Sequence, residues 1–251
     1  MNIFKSDLMN LKTNDKIDFK DPLTGEIVIK ELPLINSFVS NLPFVNQQEI
    51  KDLFPTINEI NQFLTTLTGK KVSLSGKSDL YVFLIFYIWK ILDKKATVGV
   101  VISNSWLGTE FGKIFKKLLL KFYKIKYVVI SGKGRWFKNA QVVTNLLILE
   151  KISNVKTFIQ EETPNKTSFV VLEKLLDDIK DIKDLSSSII SKQDSLEISF
   201  QEYTVNEINY VESLGLEWSS MFCDLNWLPL IEKKITKVST YFKINRGERR
   251  G

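Results

Sequence analysis

The chain has 251 residues, of which 44% are hydrophobic, so it is long and apolar enough to form a globular core. It contains no histidine and one cysteine, Cys223, which excludes an internal disulfide, serine–histidine or cysteine–histidine catalysis and the common zinc sites. The amino terminus lacks a charged start followed by an apolar core, and the longest apolar run, 80–89, is too short to span a bilayer. We therefore expect a soluble cytoplasmic protein with no metal and no membrane partner.

Basic residues are concentrated in one stretch of the chain. The formal net charge is +6, yet residues 111–149 contain nine lysines and arginines and no aspartate or glutamate. These are Lys113, Lys116, Lys117, Lys121, Lys124, Lys126, Lys133, Arg135 and Lys138. Such a block inside an otherwise mildly acidic chain favours a nucleic-acid-binding face over an ordinary solvated surface, without choosing between DNA and RNA.

The first 150 residues alternate between strand and helix patterns. The predicted elements are a hairpin with its turn at 21–25, a strand at 31–39, helical spacing at 46–68 interrupted at Pro55, a helix at 80–92, a strand at 97–102, an amphipathic helix from 111 to 122, and strands at 126–130 and 142–149. The last two strands should be antiparallel because no helix-length connection separates them. The pattern predicts an α/β fold, with parallel strands and an antiparallel edge strand.

The chain becomes more polar and charged after Glu150. Helices are predicted at 169–182 and 203–216, with a break at the serines 186–188. We therefore expect three parts: an α/β domain at 1–155, a mainly helical linker region at 156–240, and a short third part at 241–251.

The strand at 31–39 runs into a polar corner, Asn41-Leu42-Pro43-Phe44. Loops at the carboxyl ends of strands hold the ligands in open α/β sheets. The Asn41 amide can both donate and accept hydrogen bonds, Pro43 stiffens the turn, and Phe44 offers a flat apolar ring. The corner is suited to a planar heterocycle that carries an amino group.

These four residues resemble motif IV, Asn/Asp/Ser-Pro-Pro-Tyr/Phe, of the amino-methylating DNA methyltransferases, with Leu42 in place of the first proline. The resemblance implies a partial Rossmann-like methyltransferase sheet. It also implies that Asn41 and the backbone around Pro43 hold the amino group of a flipped-out adenine, while Phe44 stacks on the base.

Later segments resemble the motifs that follow in that family. Residues 75–81 are similar to motif V and residues 98–112 to motif VI, while 135–137 resemble motif VIII. The last resemblance implies that Phe137, or alternatively Trp136, supports the base from its other side. Lys133, Arg135 and Lys138 would then contact nucleic-acid phosphates. Residues 217–222 and 246–251 resemble the lead-in to a target-recognition domain.

The family's cofactor motifs are not found ahead of Asn41. Its members bind S-adenosylmethionine through a glycine-rich strand-to-helix turn and an acidic residue after the next strand. Asp7 could match a third motif that meets the cofactor's adenine, and a plain surface aspartate is equally compatible with the sequence. The resemblance therefore implies an incomplete S-adenosylmethionine site, a second polypeptide that carries the missing half, and an exposed edge on the strand that ends at Asn41.

The function expected from this resemblance is adenine-specific DNA methylation within a restriction-modification system, provided that the missing half is supplied. The alternatives are a catalytically inactive DNA-binding remnant or subunit of such a system, and a truncated reading frame with no stable function of its own.

Overall fold

The structure, a computed structural model, describes residues 6–45, 54–74, 78–137, 142–155, 165–192, 195–234, 236 and 238–243. Its strands are β1 Lys16–Lys20, β2 Ile27–Glu31, β3 Ile35–Asn41, β4 Leu92–Ser103, β5 Tyr123–Ser131, β6 Thr144–Lys151, β7 Lys166–Leu172 and β8 Ile198–Thr204. Its α-helices are α1 Phe54–Thr68, α2 Leu80–Trp89, α3 Glu110–Phe122, α4 Ile182–Ser191, α5 Val205–Ser213 and α6 Leu228–Ile231. None of these helices is long and apolar enough to cross a membrane.

The predicted hairpin is confirmed by the antiparallel pairing of β1 with β2. Its turn is closed by Asp21, whose carboxylate accepts the Leu23 backbone N–H at 2.8 Å. Gly25 follows with a φ of +76°, which a residue with a side chain rarely adopts. Local turn chemistry therefore suffices to place this hairpin.

A six-stranded sheet forms the centre of the molecule, in the order β3-β4-β6-β5-β7-β8. β3 is parallel to β4 and β5 is parallel to β7, while β6 and β8 are antiparallel to their neighbours. The α/β class and the antiparallel pairing of β5 with β6 are thus confirmed. The sheet has the predicted antiparallel edge strand, but this strand is β8, whereas the strand predicted at 142–149 is β6 and lies between β4 and β5.

The prediction of a helix at 169–182 is wrong, because β7 occupies its first part, a short 3₁₀ turn forms at Leu176–Asp178, and α4 begins only at Ile182. Residues 166–172 form β7, in which Phe169 and Val170 are fully buried. A short apolar run is compatible with either a buried strand or a buried helix, and here pairing with β5 on one side and β8 on the other decides for the strand.

The rest of the second half also differs from expectation. The serines 186–188 lie inside α4 rather than at a break, and β8 occupies the start of the helix predicted at 203–216. The segment after residue 155 therefore supplies two strands of the central sheet, so it is not only a helical linker. Of the third part predicted at 241–251, only residues 241–243 are described, and its proposed role stays a prediction.

One face of the sheet is covered by α1, α2 and α3. The core there contains Tyr81, Phe83 and Phe86, all fully buried, as the apolar pattern of α2 predicted. α2 ends three residues earlier than expected because Leu92 already pairs with Ile35 of β3. This arrangement places the carboxyl ends of β3 and β4 beside the first turn of α2.

Candidate functional site

The predicted corner lies at the carboxyl end of β3. Asn41 is the register partner of Val101 in β4, and its side chain is exposed. Leu42 is buried in the main core and donates its backbone N–H to the Val101 carbonyl at 3.1 Å. Proline has no N–H to donate. The leucine that departs from the motif IV pattern therefore extends the contact between β3 and β4 by one residue.

The corner is also tied to α2. Pro43 is exposed, Phe44 is partly buried, and the Val45 carbonyl accepts the backbone N–H of Leu80 at 2.9 Å. Backbone hydrogen bonds to β4 and to α2 therefore anchor both ends of the corner that carries Asn41 and Phe44.

Four hydroxyl and carboxyl side chains connect the end of β4 to the start of α2. Ser105 Oγ lies 3.0 Å from Ser103 Oγ, 3.2 Å from Tyr81 Oη and 3.3 Å from Asp79 Oδ2. Burial raises the pKa of Asp79, although hydrogen bonds from Ser105 and Tyr81 oppose that shift. Burial also raises the pKa of Tyr81, so its phenol remains a proton donor.

Sequence reasoning missed this group of side chains. Tyr81 has two roles, because its ring is buried in the core while its hydroxyl lies 3.2 Å from Ser105 Oγ. The signal that could have revealed the group is the Ser103-Asn104-Ser105 run directly after a buried strand, at the same edge of the sheet as Asn41.

The loop after β5 carries the predicted base-stacking residue. Phe137 is 37% exposed, whereas Trp136 is partly buried against the smaller core of β7 and β8. The loop returns to the carboxyl end of β4, where the Asn104 N–H donates to the Val143 carbonyl at 2.9 Å. Phe137 and Asn41 thus belong to the same edge of the sheet, and of the two aromatic candidates Phe137 is the more accessible.

Two of the predicted phosphate contacts lie in this loop. Lys133 and Arg135 are exposed, and Lys133 Nζ lies 3.9 Å from the carboxylate of Glu173. The third, Lys138, lies outside the described residues.

The basic block as a whole does not form one continuous face. Lys124 and Lys126 lie at the opposite, amino-terminal end of β5, where both pair with Glu150 of β6. Burial alone would raise the pKa of Glu150, but these two lysines outweigh burial and hold the pKa below its usual range. Glu150, which directly follows the stretch without acidic residues, therefore neutralises part of the positive charge of Lys124 and Lys126.

Another member of the block is buried. Lys116 is 1% exposed, and its Nζ donates to Glu217 at 2.8 Å and to the Leu107 carbonyl at 3.0 Å. Nζ also lies 5.8 Å from the centre of the Trp218 ring. This lysine joins α3 to the carboxyl-terminal part of the chain, so it cannot contact a nucleic acid.

The structure places Asp7, the predicted cofactor residue, in a local turn. Asp7 accepts the Met9 N–H at 3.0 Å as the cap of the short 3₁₀ turn Leu8–Asn10. This turn leads into Leu11, whose carbonyl accepts from Tyr87 near the end of α2, whereas the Asn41 corner is bonded to the start of α2. The structure does not bring Asp7 to Asn41, and its cofactor role stays a prediction that this position does not favour.

Part of this chain is similar in sequence to known proteins. Residues 35–137, from the start of β3 to Phe137, match the family of the Eco57I restriction-modification methylase. The Type II methyltransferase M.BstVI of Geobacillus stearothermophilus is 23% identical over 143 residues, which make up 57% of this chain and 23% of that protein.

Two solved structures share the fold. The type IIG restriction endonuclease BpuSI superposes with a TM-score of 0.57 and 12% identity, over 91% of this chain and 23% of its own. A methyltransferase subunit of a type I restriction-modification system from Streptococcus thermophilus gives a TM-score of 0.50 and 15% identity, over 72% of this chain and 37% of its own. The chain thus spans well under half the length of these relatives. Within this chain, residues 35–137 are similar to the Eco57I restriction-modification methylase family.

Proposed function

We propose that this chain is the adenine-binding part of a DNA adenine methyltransferase from a restriction-modification system. The observation that carries the proposal is the Asn41–Phe44 corner, which lies at the carboxyl end of β3 and within the matched residues 35–137. The exposed Asn41 amide is available to a base, while Leu42 is engaged in the core. The two backbone anchors of the corner support a binding role because they hold the amide in place before the base arrives.

The chemistry of the corner suits an amino group. The target adenine would leave the duplex, because its amino nitrogen cannot be reached inside the base stack. The side-chain oxygen of Asn41 and a backbone carbonyl beside Pro43 would accept its two hydrogens, which orients the nitrogen and increases its nucleophilicity. Phe44 and Phe137 would contact the two faces of the ring. No histidine is needed, in agreement with the composition.

The methyl group would be supplied by S-adenosylmethionine held on another polypeptide. This part of the proposal is supported by the position of Asp7, which caps a turn bonded near the end of α2, whereas the Asn41 corner is bonded to the start of α2. DNA would be contacted through Lys133 and Arg135, which lie in the same loop as Phe137.

Measuring S-adenosylmethionine binding tests whether the cofactor is held on another polypeptide. We expect no saturable binding to the purified 251-residue chain by titration calorimetry. Saturable binding is expected once the polypeptide encoded immediately upstream is added, and transfer of a labelled methyl group to the amino group of adenine in DNA should follow. Binding to the chain alone would contradict the incomplete site, and a loaded complex that methylates no DNA would contradict the proposed function.

Phe137→Ala tests the stacking role. Base–aromatic stacking contributes about 1–3 kcal/mol, so we expect kcat/KM for DNA methylation by the completed enzyme to fall roughly 5- to 150-fold. Phe137→Trp should restore most of the rate, because an indole also offers a flat ring. Unchanged kcat/KM in Phe137→Ala would remove this residue from the site.

A second candidate function is a catalytically inactive DNA-binding remnant. The exposed cations of the loop after β5 favour it, while the division of the basic block between opposite ends of β5 weakens it. DNA binding without methylation by the cofactor-loaded complex would decide for this alternative.

A further inference from the structure

Asp79 occupies the N-cap position of α2 without capping that helix. An N-cap aspartate normally accepts backbone N–H groups of the first turn, and Asp181 at the start of α4 does so from Lys183 at 2.7 Å and Asp184 at 3.2 Å. None of the described N–H groups in the first turn of α2 donates to the Asp79 side chain. Its carboxylate accepts the Ser105 hydroxyl instead, with 3.3 Å between Oδ2 and Oγ.

Ser105 joins Asp79 to the end of the sheet. Ser103 Oγ donates to Ser105 Oγ at 3.0 Å, and the hydroxyl of the fully buried Tyr81 lies 3.2 Å from the same oxygen. A hydroxyl accepts two hydrogen bonds and donates one, so Ser105 has one hydrogen to give, and Asp79 is its acceptor. Because Ser103 is the last residue of β4, this chain of hydrogen bonds attaches Asp79 to that strand.

The residue after Asp79 connects this group to the Asn41–Phe44 corner. The Leu80 N–H donates to the Val45 carbonyl at 2.9 Å, which fixes the far end of the corner, while the near end is bonded directly to β4. Both ends of the corner are therefore held by the same strand, one of them through Ser105, Asp79 and Leu80. A change in the position of Asp79 would be transmitted to the corner by a single peptide unit.

We propose that Asp79 is a positioning residue for adenine methylation, because its hydrogen bond to Ser105 holds the start of α2, and with it the Asn41–Phe44 corner, at the end of β4. The inference rests on the proposed function. Misplacing a group that orients the reacting atom by about 1 Å can cost about 100-fold in rate. This role requires an oxygen that accepts a hydrogen bond, and it does not require a negative charge.

Three substitutions test this role in the completed enzyme. Asp79→Ala should lower kcat for DNA methylation about 10- to 100-fold, with KM for DNA within about twofold, because the proposed phosphate contacts lie in another loop. Ser105→Ala removes the donor and should lower kcat in the same way. Asp79→Asn keeps an oxygen that accepts from Ser105 and should retain at least about half of the wild-type kcat. A loss in Asp79→Asn as large as in Asp79→Ala would overturn the proposal, since the reaction would then need the charge.

Asp181→Ala is the matched control, because it removes an N-cap aspartate from a helix that packs against the smaller core of β7 and β8. It should lower the urea midpoint of unfolding, since two backbone N–H groups lose their acceptor, and leave kcat within about twofold of the wild type. A fall in kcat as large as that of Asp79→Ala would show that general destabilisation lowers the rate, and would overturn the proposal.

Hydrogen exchange on the 251-residue chain alone tests the positioning without the reaction. The amides of Leu80 and Leu42, which anchor the corner, should exchange at least about threefold faster in Asp79→Ala and at the wild-type rate in Asp79→Asn. Unchanged exchange in Asp79→Ala would overturn the proposal. A wild-type complex that holds the cofactor and methylates no DNA contradicts the proposed function, and the exchange rates then still decide whether Asp79 fixes the corner.

Discussion

Asn41→Ala should lower methylation by the completed enzyme by at least about 100-fold, with DNA binding unchanged. Positive charge develops on the adenine amino nitrogen as it forms its new bond, and the Asn41 oxygen that accepts its hydrogen stabilises that charge. Alanine removes this acceptor, while the backbone bonds of Leu42 and Val45 that fix the corner remain. Single-turnover methylation and DNA affinity, both measured in the complex with the cofactor-carrying polypeptide, separate the two effects.

Asn36→Ala is the matched control for this substitution. Asn36 is also an exposed asparagine of β3, but it lies near the amino end of the strand, away from the corner. It should leave the methylation rate within about twofold of the wild type, as ordinary surface substitutions do. Full activity in Asn41→Ala would end the assignment of the corner to the adenine amino group.

Lys116→Ala should lower the free energy of unfolding by about 3 kcal/mol. The substitution leaves the Leu107 carbonyl without its donor, removes the ion-pair partner of Glu217 and opens a cavity beneath Trp218. A loss of this size is a large fraction of the stability of an ordinary domain. Urea denaturation followed by tryptophan fluorescence measures it.

Lys117→Ala is the control, because this neighbouring lysine is exposed and its removal should change stability by less than about 0.5 kcal/mol. Lys116→Met should fall between the two, since it refills the volume but leaves the Leu107 carbonyl unpaired. A loss below about 1 kcal/mol in Lys116→Ala would show that the buried contact is not a stabilising one. A wild-type chain without a cooperative unfolding transition would instead support the truncated reading frame.

Sequence reasoning succeeded where neighbouring residues decide the structure. The β1–β2 turn depends on Asp21 and Gly25 within five residues of each other, and the helix α3 follows from its apolar spacing. The corner at Asn41 was visible because an apolar strand, a polar residue and a proline stand together in the chain. None of these features needs a distant partner in order to form.

The errors share one cause, which is that the deciding partner is remote in the chain. Lys116 is on the apolar side of α3 because Glu217, 101 residues later, receives its charge. β7 is a strand because β5 and β8 pair with it. Charge counted along 111–149 could not reveal that Glu150 lies across from Lys124 in the sheet.

The sequence by itself determined the α/β class and the Asn41–Phe44 corner, because each depends on residue types at short spacing. Only the tertiary structure decided that β7 and β8 complete the sheet, that the basic block is divided, and that Ser105 links Asp79 to Tyr81 at the site. Burial and pairing are properties of the whole sheet, and no local pattern specifies which faces of a strand will be covered.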